Sequence, residues 1–113
     1  MDIHPLEQKH LRKYLELLEF LSPSVQGTTV QGTTVWKQIE SNPYHTIYGG
    51  WLNTVLVGAI TVYLEPKFIH QCGWVAHIED VIVHPEHRGF KFGSKLVKHV
   101  LEPIRLVSIV AQK

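Results

Sequence analysis

Three short stretches carry the side chains able to do chemistry. "HPEHRGFKFGSKL", His84 to Leu96, sets Gly89 and Gly93 among Arg88, Lys91 and Lys95 directly after an apolar run. "HIEDVIV", His77 to Val83, places the adjacent carboxylates Glu79 and Asp80 inside that run, and "KFIH", Lys67 to His70, lies just upstream. A strand that turns through glycines into a helix start points successive backbone N–H groups at one place, where the helix dipole adds positive potential. Phosphate suits such a cradle, with Arg88, Lys91, Lys95 and Lys98 to neutralise its outer charge. The spacing R-G-F-K-F-G is neither G-x-x-x-x-G-K-[ST] nor G-x-G-x-x-G, so triphosphate hydrolysis and dinucleotide binding are not indicated. Taken alone, the loop reads equally as a basic surface turn.

The carboxylates point further. Burying an unpaired carboxylate in an apolar strand is costly, so Glu79 and Asp80 need a partner or a function. Strict alternation puts Ile78, Asp80 and Ile82 on one face and His77, Glu79, Val81 and Val83 on the other, one carboxylate to each. Lys67 and His70 suit a sugar phosphate or another polar anion; the alternative is an ion pair between Lys67 and one carboxylate. Eight histidines raise the question of zinc. There are no paired cysteines and no H-E-x-x-H, and His84 and His87 lie in a proline-containing loop, so no metal is expected.

The elements that must hold these groups follow from periodicity. Leu11, Tyr14, Leu15, Leu18 and Leu21 form a helical stripe after Pro5, with Glu7, Lys9, Lys13 and Glu16 left to water. Pro23 stops that helix. The duplication "VQGTTVQGTTV" is too short for a solenoid and reads as a loop with Gly27 and Gly32 as turn points, followed by a short helical turn around Trp36 to Ile39. "YHTIYGGWL" and "TVLVGAITVYLE" read as a hairpin turning at Asn53. "KFIHQCG" is a loop, "WVAHIEDVIV" the next strand, and "FGSKLVKHVL" a helix with Val97, Val100 and Leu101 on its stripe. "IRLVSIVAQK" is apolar enough for a last strand. The class is α/β (α+β): a mainly antiparallel mixed sheet flanked by helices.

With 113 residues, 44% hydrophobic and 19% charged, the chain is expected to form one globular domain over 1–113. A net charge of +1 argues against nucleic acid as a partner. The single cysteine, Cys72, suits a reducing compartment, and no apolar run has signal-peptide or membrane-spanning length, so a cytoplasmic protein is expected.

"EPKFIHQCGWVAHIEDVIVHPEHRGFKFGSKLVKHV", Glu65 to Val100, resembles the glucosamine 6-phosphate N-acetyltransferase family of the GCN5-related N-acetyltransferase superfamily. The superfamily's R-x-x-G-x-G/A signature falls on Arg88 to Gly93, with Lys91 in place of the middle glycine. The sugar-phosphate family's own marks are "KFIH", a cysteine two residues on, and "EDV". His4 to Ser22 is similar to that family's first strand end and first helix. The resemblance implies acetyl-CoA as cosubstrate, D-glucosamine 6-phosphate as acceptor, a place in UDP-N-acetylglucosamine biosynthesis, and a homodimer with shared sites. It implies that Val81, Ile82 and Val83 hold the pantetheine arm through their main chain. It assigns the pyrophosphate to Arg88, Gly89, Phe90, Lys91, Phe92, Gly93 and Ser94. Lys67, Phe68, Ile69, His70, Glu79, Asp80 and Val81 would line the sugar-phosphate site, with Glu79 and Asp80 as catalytic groups, while Cys72 would be structural.

Two departures are legible. The stretch after the first helix does not match the family's "LTxxG", for which Ser22 or Ser24 would substitute. "LEPIRLVSIVAQK" lacks the family's tyrosine-bearing last helix and terminal strand, so the fold is expected to be C-terminally shortened. Three readings stay open: the acetyltransferase itself, a catalytically impaired acetyl-CoA-binding or partner-binding module derived from it, and an acetyltransferase for another amine.

Overall fold

The computed structural model describes residues 1–22, 29–104 and 107–111. A five-stranded sheet runs in the order β1 (Asp2–Pro5), β2 (His45–Leu52), β3 (Val55–Pro66), β4 (Trp74–Val83), β5 (Val107–Ala111). The first four strands pair antiparallel, and β5 joins β4 in parallel, so the sheet is mixed as expected. The β2–β3 hairpin closes through two residues, because Leu52 pairs Val55, and Asn53 takes the turn's left-handed position at φ +55°.

Helices cover both faces. The first, α1 (Leu11–Leu18), follows a 3₁₀ turn at Gln8–His10, so the helix starts six residues later than Pro5 suggested. Pro5 instead closes the edge strand, where a missing N–H costs nothing in the ladder. Tyr14 and Leu17 are buried, whereas Leu21 from the expected stripe is exposed beyond the helix end. The second helix, α2 (Thr29–Glu40), is much longer than the turn expected around Trp36. The second copy of the duplication, 31–35, lies wholly within it, so Gly32 is a helical residue and not a turn point. A methyl there would sit 3.4 Å from Leu15 Cδ1, an ordinary packing distance, so Gly32 faces α1 without the contact requiring glycine. Gly27 and Ser24 lie outside the described residues.

Leu6, Tyr14, Leu17, Trp36, Ile47, Trp51, Leu56, Ala59 and Ile82 form the core beneath α1 and α2. On the opposite face Ile60, Val62 and Ile78 pack under Leu96 and Val100 of α4 (Phe92–Leu101). Leu96 is fully buried, although the expected stripe of Val97, Val100 and Leu101 omitted it. "KFIHQCG" is not wholly a loop: it contains one helical turn, α3 (Ile69–Cys72).

The faces of β4 correct the alternation argument. Ile78 belongs to the α4 core and Ile82 to the α1–α2 core, so the two do not share a face. The cause is a bulge: Ala59 pairs Ile82 and Thr61 pairs Glu79, leaving Ile60 opposite both Asp80 and Val81. Asp80 absorbs the extra residue in a left-handed conformation at φ +50°. Downstream of it every side chain changes face.

Candidate functional site

The bulge turns two separated carboxylates into one site. Glu79 and Asp80 line the same cavity, about 450 Å³, between α1, α2 and the sheet. Tyr14, Glu19, Gln31, His45 and Thr61 add polar groups, while Leu11, Leu15, Leu18, Val35, Trp36 and Ile39 form the apolar wall. Among the described residues no ion pair engages either carboxylate. Lys67 pairs instead with Glu65, at 3.1 Å, which removes the proposed structural partner.

Tyr14 is deep in this cavity. Burial pushes its phenol up from 10.0 to about 12, the nearby charge of Asp80 adds to that, and a hydrogen bond with Thr61 partly opposes it. The folded state therefore holds the phenolic proton more tightly than the unfolded chain. Its stabilising contribution is complete below pH 10 and is lost as pH rises towards 12, about 2–3 kcal/mol in all. A denaturation series across that window should show the loss together with late tyrosinate absorbance. Tyr14→Phe should flatten both curves.

A second cavity, about 700 Å³, opens beside β4 and α4 and is lined by Val81, Gly93, Ser94, Val97, Lys98, Leu101 and Glu102. The parallel pairing of β5 runs from Trp74 to Ile78, so Glu79 to Val83 have no β5 partner among the described residues. Ile82 turns its side chain into the core, 3% exposed, and can offer only its main chain. The Val83 carbonyl accepts a bond from Arg88 Nε at 3.2 Å, so Arg88 ties the loop back onto the strand.

That loop ends in a helix start with no side-chain cap. The first intrahelical bond of this turn runs from Lys95 N to Lys91 O, at 3.0 Å, so the N–H groups of Phe92, Gly93 and Ser94 lack intrahelical acceptors. Gly89 has φ +91°, and a methyl there would meet no atom within 4 Å, so it is the backbone conformation that demands glycine. Lys91 also occupies the left-handed region, at φ +58°. Where the signature has glycine, the lysine keeps glycine's conformation at a cost of about 1 kcal/mol. Phe90 is exposed on the loop, while Phe92 is buried and anchors the helix. Of the residues assigned to the cofactor, Val81, Gly93 and Ser94 line this groove, and Arg88 is tied to Val83 by the bond above.

Lys67 to His70 are not gathered with the carboxylates. Pro66 pairs Trp74 and Thr61 pairs Glu79, so the tip begins five residues along β3 from Glu79, roughly 17 Å at about 3.3 Å per residue. Phe68 is 97% exposed and Ile69 64%. Cys72, at the same tip, is an exposed free thiol and not a packing residue. Glu65 accepts from both Lys67 and His77, the latter at 3.0 Å, and these bonds hold its carboxyl below the ordinary range. Thr61, His45 and Trp36 escaped the sequence reading; the only signal for Thr61 is a lone hydroxyl in an apolar strand. Among the described residues no group of three or more His, Cys, Asp or Glu is placed to hold a metal ion, and no helix is long and apolar enough to cross a membrane.

Comparison with known proteins agrees with this geometry. Residues 11–106 match the model of the acetyltransferase (GNAT) family. The glucosamine 6-phosphate N-acetyltransferase 1 of Oryza sativa subsp. japonica is 42% identical over 107 residues, covering 91% of this chain and 65% of that protein. The glucosamine 6-phosphate N-acetyltransferase of Candida albicans is 32% identical over 87 residues, 75% of this chain and 58% of that protein. The chain therefore spans about three fifths of the length of these curated relatives. The crystal structure of glucosamine-6-phosphate N-acetyltransferase from Arabidopsis thaliana superposes with a TM-score of 0.88 at 27% identity, covering 99% of this chain and 81% of that one. On the family match and the identity to these relatives, the chain belongs to the acetyltransferase (GNAT) family.

Proposed function

We propose that this chain, as one N-acetyltransferase domain over 1–113, transfers acetyl from acetyl-CoA to the amine of D-glucosamine 6-phosphate. The observation that carries the reading is the bulge at Asp80, which brings Glu79 and Asp80 to one cavity with no ion pair on either among the described residues. The product, N-acetylglucosamine 6-phosphate, would feed UDP-N-acetylglucosamine formation. The named relatives support the acceptor, and the exposed thiol of Cys72 fits a reducing cytoplasm.

Acetyl-CoA supplies the thioester. The groove fits it: the open edge of Val81 to Val83 would pair with the pantetheine amides as an added strand, and the uncapped start of α4 would take the pyrophosphate. Glu79 and Asp80 bind the substrate ammonium and pass its proton to water, leaving the amine neutral for attack. A main-chain N–H past the bulge donates to the tetrahedral oxyanion. Most of the acceleration comes from holding the two reactants in line.

The carboxylate cavity is lined by no lysine or arginine, so the phosphate needs a cation from elsewhere. The exposed tip carrying Lys67 to His70 is suited to reach the site of a second copy, which is our reading of the homodimer. Release of free CoA, followed with glucosamine 6-phosphate, tests the reaction. Turnover is the expected result. A thermal shift with CoA but no release would replace the enzyme by an acetyl-CoA-binding module that has lost catalysis.

A further inference from the structure

We propose that the cavity between α1, α2 and the sheet binds primary amines bearing an apolar body, and that these form a second acceptor class acetylated at Glu79 and Asp80. The cavity has two unlike ends. One holds two carboxylates with the hydroxyls of Tyr14 and Thr61, and no ion pair neutralises either acid among the described residues. That end attracts an ammonium group. The other is walled mostly by leucines of α1 and by Val35, Trp36 and Ile39 of α2, with Glu19 and Gln31 as its polar members. An anionic ligand finds no lysine or arginine along that wall and meets a third carboxylate in Glu19, and each hydroxyl left unsatisfied against its apolar part costs about 1–3 kcal/mol. An aryl or alkyl group gains instead, about 1.5–3 kcal/mol for a side chain the size of leucine or phenylalanine.

A separate observation concerns Trp36. It is 5% exposed, lines the cavity, and its indole N–H is buried without a partner among the described residues. Buried N–H groups are normally satisfied, so this one is left as an unmet donor within the wall.

The chemistry rests on the acetyl-transfer reading; the binding does not. The ammonium gives one proton to the carboxylates and then to water. Its nitrogen bonds the thioester carbonyl carbon, the C–S bond breaks, and the thiolate takes the second nitrogen proton. An N-alkyl acetamide, free CoA thiol and one proton result.

The test uses the full chain. Calorimetric titration compares phenethylammonium with ethylammonium, which carries the charge without the ring. Phenethylammonium is expected to bind at least about ten-fold more tightly. Val35 is 53% exposed, so Val35→Lys leaves the core intact while placing a cation at the wall. It should weaken phenethylammonium about five-fold or more. Equal affinity for the two amines, or no response to Val35→Lys, overturns the binding claim. The CoA-release assay then reads the acceptor claim. Turnover with phenethylamine supports it; tight binding without turnover, while glucosamine 6-phosphate is acetylated, overturns it. If neither acceptor is acetylated, the transfer reading fails, and the affinity ratio still decides the cavity.

Discussion

Replacing Glu79 and Asp80 together by Gln and Asn should lower turnover of glucosamine 6-phosphate by about 100-fold or more, the usual contribution of positioned acid–base groups. Both substitutions keep side-chain volume, and neither carboxylate has an ion-pair partner to strand among the described residues. Thermal stability should therefore hold, or rise slightly as repulsion between neighbouring carboxylates disappears. Affinity for CoA should hold as well, because the groove is built from Val81, the start of α4 and its flanking residues and not from the two acids. Single substitutions sharpen the result. Glu79 sits in register with Thr61, whereas Asp80 occupies the bulge at φ +50°, a conformation that asparagine tolerates well. Loss of activity in Asp80→Asn is thus chemical and not a collapse of the bulge. Unchanged turnover in the double variant would remove both residues from the mechanism.

The same bulge explains what the sequence could and could not reveal. The carboxylate pair was visible as an anomaly in an apolar run, and so was the hairpin turning at Asn53. The shared cavity was not visible, because period-two alternation assumes an unbroken ladder. One extra residue at Asp80 moves every later side chain of β4 to the other face, and only the partner strand records that. Helix α2 was hidden for another reason. A threonine- and glycine-rich repeat has poor helix propensity, and its order comes from packing Trp36 and Ile39 against α1. Lys91 was readable as a departure from a glycine signature, but its left-handed backbone was not.

The site's two halves also differ in how far one chain completes them. The groove beside β4 needs only local elements: Val81 of the strand, a glycine at φ +91°, and an uncapped helix start. The cradle spacing in the sequence carried most of that information, since loop and helix adjoin in the chain. The acceptor side depends on residues far apart in sequence. Tyr14, Trp36, His45, Thr61 and Asp80 come from five different elements and meet only through sheet register and helix packing. The hairpin tip with Lys67 points away from that cavity in register, so its chemistry is spent elsewhere unless a second copy meets it.

Leu96→Ala should produce the largest change in stability, about 2–5 kcal/mol, against a total that for a domain of this kind is about 5–15 kcal/mol. Leu96 is fully buried, and its methyl groups press on the sheet where glycines leave room. A methyl built on Gly58 would fall 3.0 Å from Leu96 Cδ1, and one on Gly50 would fall 3.3 Å from Cδ2. Strand backbone on that side cannot collapse into the space a shorter side chain vacates, so the cavity term should be close to its full size. The effect reaches function because Leu96 fixes the first turns of α4, whose free N–H groups form the cradle. Urea denaturation should show a lower midpoint with an unchanged slope, and CoA affinity should fall even where the protein remains folded. Val97→Ala is the control: Val97 is half-buried and borders the groove, so its loss should cost clearly less stability. Equal costs for the two would mean that α4 is not clamped through Leu96, and that the cradle is positioned by the loop alone.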